Sequence, residues 1–162
     1  MGKTCKYIKA DEDPLQYILG FTIGNDVSSR YWQLPERSGS QAGYAKGFDK
    51  FCPLGPFICS SKIAPDTGNL HLTTRVNGEV LQDANTNDML FSVGDILRFA
   101  SRGHTIKVGT IFMTGTPSGV GFGHKPPIWL RDGDVVEIKI ENLGLLRNKF
   151  LIPKQSDSLL SG

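Results

Sequence analysis

The run Leu70-His-Leu-Thr-Thr-Arg-Val76 alternates apolar and polar residues, stops at Asn77-Gly78, and resumes in Glu79-Val-Leu-Gln82. Strand side chains point to opposite faces in turn, so a period of two marks a strand with one buried face. Asn and Gly both tolerate positive φ, which a two-residue turn between right-twisted strands demands. A β-hairpin at 70–82 therefore constrains the fold more tightly than any other feature, because it commits the chain to an antiparallel sheet.

The remaining pattern fits around that hairpin. Residues 21–23, 57–59 and 134–140 read as strands, and Thr110-Ile-Phe-Met-Thr114 as a buried one. Asp13 before Pro14 is an N-cap and first-turn pair, and Gly20 breaks the helix that this pair would start. Ser28 or Ser29 can cap a short helix carrying Arg30 and Gln33. Ser92-Val-Gly-Asp95 is a capping-box-like start for a helix over 96–102, which Gly103 ends. Residues 34–50 form a Gly-, Ser- and Lys-rich loop, long enough to suggest function, and Ile63-Ala-Pro-Asp-Thr-Gly68 reads as a turn region. The expectation is an α+β, β-dominated domain with two or three short helices.

Composition narrows the function classes. A chain of 162 residues is one domain by size and can bury a real core. Eighteen Lys plus Arg against sixteen Asp plus Glu leave a net charge of +2, so no nucleic acid or anionic membrane partner is expected. No apolar run approaches the ~20 residues of a membrane span. The first residues lack the apolar core of a secretory signal, and Lys6 stands where a myristoylation signal needs Ser or Thr. Cys5, Cys52 and Cys59 fit no zinc spacing and read as buried free thiols, implying a reducing compartment, cytoplasmic or mitochondrial.

Three stretches can carry chemistry. The first is Gly24-Asn-Asp-Val-Ser-Ser-Arg30 with Gln33. Arg30 and Gln33 would share a helix face, and an arginine fork beside a metal-binding carboxylate suits a 2-oxo or β-diketo acid. On the residues alone, a plainer reading carries more weight: Asp26 caps the next helix, and Arg30 and Gln33 are solvated. The second is Tyr44-Ala-Lys-Gly-Phe-Asp-Lys-Phe-Cys-Pro53, where Lys46 can polarise a carbonyl or stabilise an enolate; a solvated loop lysine is the default. The third is Met113-Thr-Gly-Thr-Pro-Ser-Gly-Val-Gly-Phe-Gly123, whose backbone amides can approach an oxyanion. It matches neither a P-loop nor a dinucleotide fingerprint, and a tight β-turn explains it equally. His71, His104 and His124 have no metal spacing. Ser118 lacks the first glycine of a nucleophile elbow, where Thr116 stands instead.

Taken in order, these three stretches, Val76-Asn-Gly-Glu79, and Asp132-Gly-Asp-Val-Val-Glu137 with Leu143-Gly-Leu-Leu-Arg-Asn148 resemble the fumarylacetoacetate hydrolase family. The similarity runs from about Gly2 to Leu151, giving a catalytic domain over 1–151 and a polar tail over 152–162. The resemblance implies a mixed β-roll or distorted barrel, a homodimer, and a Mg²⁺ ion that Mn²⁺ or Ca²⁺ can replace. It implies a hydrolase or lyase acting on C–C bonds of small 2-oxo or β-diketo acids through a metal-stabilised enolate. By motif, Asp26 would be a metal ligand and Lys46 the catalytic cation. Arg30, Gln33, Lys46 and Thr116 would bind the substrate carboxylate. Family members also carry a Glu-x-Glu pair just before the stretch matching Gly2 to Cys5, and a His and Glu on an upstream lid. On that resemblance the chain is expected to be an N-terminally truncated member, and the alternative reading is an inactive remnant that binds carboxylates or only dimerises. Asp11, Glu12 and Asp13 are not substitutes for those glutamates; they read as a charged helix start.

Overall fold

The structure is a computed structural model and describes residues 1–63 and 67–152. Its frame is the expected hairpin. Strands β3 (His71–Val76) and β4 (Glu79–Asn85) pair antiparallel, with Val76 opposite Glu79 across the turn. Asn77 and Gly78 have φ of 51° and 87°, so both turn residues adopt the positive φ their identities allow. Thr74 faces Gln82 while Arg75 faces Val80, which leaves Leu81 as the extra residue of a β-bulge.

On its other side β3 pairs with β5 (Val135–Ile140), which pairs with β6 (Gly144–Lys149), giving the order β4-β3-β5-β6. A second, two-stranded sheet pairs β1 (Gly20–Gly24) with β2 (Leu54–Ser60). Ile23, Cys59, Leu70, Val136, Ile138, Leu143 and Leu146 form one buried cluster that takes residues from both sheets. Ile23 is fully buried, and a side chain of that size contributes about 2 kcal/mol on burial. No barrel closes among the described residues; the fold is β-dominated, as expected.

The helices follow their caps. Asp13 accepts from the Leu15 amide at 2.9 Å and starts a 3-10 turn, Pro14–Tyr17. A four-residue helix α1 spans Pro35–Ser38 and α2 spans Val93–Gly103. At the start of α2, Ser92 and Asp95 exchange both bonds of a capping box. Its apolar side covers a second cluster of Cys5, Ile8, Leu97 and Ile106. All three cysteines are free, with Cys52 only partly buried. No helix among the described residues is long and apolar enough to cross a membrane.

Four expectations need correction. Residues 110–114 belong to no strand, and Ile111 and Met113 are exposed. An apolar run shows only that a segment can pair, and no described strand lies along this one. Ser28 and Ser29 cap nothing: the turn Tyr31–Gln33 is a 3-10 turn with Arg30 at its N-cap and no side-chain cap. The 34–50 loop contains α1 and a 3-10 turn, Tyr44–Lys46. The motif at 143–148 proves to be a strand, β6, and Asn142 (φ 62°) and Gly144 (φ 90°) supply the turn that forms it. The turn region expected at 63–68 lies partly, and the polar tail almost wholly, outside the described residues.

Candidate functional site

β1 ends at Gly24, and the chain then turns sharply. The Asn25 amide donates to Pro53 O at 3.0 Å, and the Val27 amide to Asn25 O at 2.9 Å. This turn projects Asp26 from the strand end. Its carboxylate caps no helix; it pairs with the Lys46 ammonium, which also donates to Ser28 Oγ at 3.1 Å. The Ser29 amide donates to the carbonyl of fully buried Ala45 at 2.9 Å, lacing 26–30 to the turn that carries Lys46. With about 39% and 43% of the two side chains exposed, the pair adds about 0–1 kcal/mol to stability. Its importance is positional.

Arg30 points elsewhere. Its guanidinium carbon lies 4.4 Å from the centre of the Phe122 ring, a cation–π contact, and no described carboxylate pairs with it. Gln33 keeps a buried Oε1 without a hydrogen-bond partner, and Asn25 a buried Nδ2 in the same condition. Buried polar atoms are nearly always satisfied, so two orphans flanking Asp26 mark this segment as unusual. A chain of edge-to-face and tilted rings from Tyr31 through Trp32, Tyr44 and Phe48 to Phe51, with centroids 5.1 to 5.3 Å apart, holds the loop in place.

The third stretch runs along the first. Met113 packs on Gly24, where a Cβ would press on its thioether, and Phe122 lies under Arg30. Between them, Thr116 Oγ1 accepts from Gln82 Nε2 at 2.9 Å, and Pro117 O from the same nitrogen at 3.0 Å. Gly119, with φ 94°, lies so close to β4 that a Cβ would overlap the Leu81 carbonyl oxygen. Thr116 therefore stands on the β-bulge, exposed, and its described hydrogen bond is to Gln82. The structure brings Asp26 and Lys46 into contact, keeps Arg30 and Gln33 on one turn, and holds Thr116 on the adjoining loop.

Sequence reasoning missed Ser28, Asn25, Gln82 and Phe122 as supporting residues. Ser28 and Asn25 stood inside the motif and could have been named as neighbours of Asp26. Gln82 and Phe122 lie 34 and 92 residues from the groups they hold, and no local pattern reveals such contacts.

The donors present do not complete a divalent-cation site. Among the described residues, no group of three or more His, Cys, Asp or Glu side chains comes together. A lone carboxylate binds Mg²⁺ weakly, and this one is already neutralised by Lys46. Asp11, Glu12 and Asp13 do not compensate. Asp13 caps its turn, and Glu12 accepts from Gln16 and from the Tyr17 hydroxyl, which that bond holds above its ordinary pKa range. His71 pairs with Asp83 at 2.6 Å, His104 is the C-cap residue of α2, and His124 approaches Gly119 O at 3.3 Å.

Residues 1–151 match the family described as fumarylacetoacetate hydrolase, C-terminal. The chain belongs to this family. It is 46% identical over 149 residues to the mitochondrial oxaloacetate tautomerase Fahd2a of Rattus norvegicus, covering 92% of this chain and 47% of that protein. A family homologue from Dictyostelium discoideum is 41% identical over 157 residues, covering 91% of this chain and 51% of that protein. The chain thus spans about half the length of the curated relatives it matches. Among solved structures, a fumarylacetoacetate hydrolase from Exiguobacterium antarcticum superposes with a TM-score of 0.88 at 39% identity, covering 94% of this chain and 53% of that one. A 2-hydroxyhepta-2,4-diene-1,7-dioate isomerase from Mycobacterium marinum gives 0.80 at 43% identity, covering 93% and 54%. The two-sheet frame is therefore the fumarylacetoacetate hydrolase fold.

Proposed function

We propose that this chain processes small 2-oxo acids by moving a proton at the carbon beside the carbonyl. The observation that supports this reading is that one laced segment carries two cations: Lys46, oriented by Asp26 and Ser28, and Arg30, stacked on Phe122 and free of any described acidic partner. A planar guanidinium matches a carboxylate with two parallel bonds. An ammonium set against the neighbouring oxo oxygen stabilises the negative charge that develops there when a carbon-bound proton leaves. Thr116, whose hydroxyl oxygen accepts from Gln82, would add a hydroxyl to the carboxylate site. Tautomerisation and isomerisation need only that water take the carbon-bound proton and return one at another atom of that enolate, and both activities occur in the names of relatives.

Hydrolytic or decarboxylating C–C cleavage passes through the same enolate, so Lys46 would serve it in the same way. The expected Mg²⁺, Mn²⁺ or Ca²⁺ finds one carboxylate here, already paired, and no step is assigned to it. The names of the mammalian relatives, together with three free thiols, favour a mitochondrial location. Exposed Phe57 and Ile58 on β2 favour self-association as a homodimer.

Calorimetry with oxalate, a planar enolate mimic, tests the site. Binding is expected to survive EDTA and to weaken at least tenfold in Lys46→Met and in Arg30→Ala. No binding of oxalate by the unaltered chain, with or without Mg²⁺, would overturn the proposal. Deuterium exchange at C3 of oxaloacetate, followed by NMR, separates turnover from mere carboxylate binding; binding without faster exchange would leave only the carboxylate-binding alternative.

A further inference from the structure

Beside Arg30 lies an open groove of about 530 Å³, lined by Ser29, Arg30, Tyr31, Leu34, Phe122 and Trp129. Beside the guanidinium and one serine, its lining is Leu34 and three aromatic side chains. Tyr31, Phe122 and Trp129 are each about half exposed (52%, 51% and 54%), so the wall faces solvent. Isolated exposed rings are ordinary, but three around one cation without an acidic partner among the described residues offer a surface with two chemistries.

The wall is also fixed in shape. The Gly121 carbonyl accepts from the Ile128 amide at 2.9 Å, and a Cβ on Gly121 would overlap the Ile128 carbonyl oxygen. That close crossing puts Phe122 and Trp129 together, with ring centroids 6.0 Å apart at 52°. Tyr31 is held from the opposite side: Arg37 lies over its ring at 3.7 Å and bonds its hydroxyl. The phenol's polar end is therefore engaged within the protein, and its apolar body is left for the groove.

A short polar diacid can be held through Arg30 but leaves this wall uncovered. We propose that the acid gripped by Arg30 carries a flat apolar tail, about the size of one aromatic ring, that lies against Phe122 and Trp129. This inference rests on Arg30 as the carboxylate grip of the proposed site and adds the class of substituent. Covering one face of a ring in an open groove is worth about tenfold in affinity. The geometry also assigns specificity to Trp129, a residue that takes no part in holding the carboxylate.

The test is calorimetric titration of the full 162-residue chain with pyruvate and with phenylpyruvate, acids that differ only by the ring. Phenylpyruvate is expected to bind about tenfold tighter. That advantage should fall to within about twofold in Trp129→Ala and largely return in Trp129→Phe. Trp129 is exposed, so its truncation leaves both buried clusters intact, which a circular dichroism melt verifies. Pyruvate binding without a phenylpyruvate advantage would overturn the tail assignment and leave Arg30 as the grip. An advantage that persists in Trp129→Ala would overturn it as well. If neither acid binds, Arg30 is not the grip, and both proposals fall.

Discussion

The four-stranded sheet and the 25–51 segment hold their shape by different means. In the sheet, each strand is fixed by a ladder, and Val136, Ile138 and Leu146 are buried against the two-stranded sheet behind them. The 25–51 segment joins no ladder beyond its flanking strands. It is held by single contacts: Ser29 to Ala45, Lys46 to Asp26 and Ser28, and a chain of rings from Tyr31 to Phe51. The sheet has many small reasons to stay folded, whereas the site segment has a few specific ones. Side chains that must meet a ligand cannot also be committed to a core, so the proposed site falls where few buried contacts hold the chain.

Four experiments probe that contrast, in falling order of expected effect. Ile23→Ala removes a fully buried side chain at the centre of the main cluster and should cost about 3–4 kcal/mol in urea unfolding. A loss below about 1 kcal/mol would mean that the sheets do not share a tight core. Gly119→Ala strikes the joint between the two regions. Positive φ and overlap with the Leu81 carbonyl should together cost about 2–3 kcal/mol. The variant should also weaken oxalate binding, because Thr116 moves with the loop. If stability falls while oxalate affinity is unchanged, Thr116 has no part in the site.

Lys46→Met reverses the pattern. The half-exposed pair contributes little, so unfolding should shift by less than about 1 kcal/mol, while oxalate affinity drops at least tenfold. A large stability loss would show the segment to be more tightly built than its contacts suggest. The smallest effect concerns Asp134 beside the hairpin turn. Its carboxylate accepts from the Asn77 side chain at 2.8 Å and the Arg131 amide at 2.6 Å, and both bonds hold its pKa below the usual carboxylate range, the Asn77 bond most of all. A depressed folded-state pKa stabilises the fold above the unfolded value, and that contribution is lost as pH falls through the folded one. Carboxyl carbon shifts should therefore show Asp134 titrating below an ordinary aspartate. A midpoint at or above that range would remove the carboxylate from the support of the turn.

Much of the sheet was legible because its signals are local. Asn77-Gly78 fixes a turn by φ alone, and Ser92 with Asp95 fixes a helix start within four residues. Residues 110–114 misled because apolar, β-branched sequence shows an ability to pair without naming a partner. β6 escaped notice as a strand because Arg147, Asn148 and Lys149 obscure its alternation, although Asn142 and Gly144 mark its turn. The candidate site residues could be named from their motif, and the structure shows Asp26 meeting Lys46. The neighbour that each residue would face was not legible: Arg30 on Phe122 and Thr116 on Gln82 are contacts between distant segments.

The unmatched Leu81 gives the hairpin a second task. Because Leu81 is extra, the residues after it are shifted by one place against β3, and Gln82 comes to face Thr74. From that position Gln82 reaches both Thr116 and Pro117, while the Leu81 carbonyl meets Gly119. A one-residue slip would turn the amide to the other face of the sheet and take the threonine loop with it. The tight turn at Asn77-Gly78 thus works as a gauge: by counting residues into β4, it sets the height at which Gln82 holds the Thr116 loop.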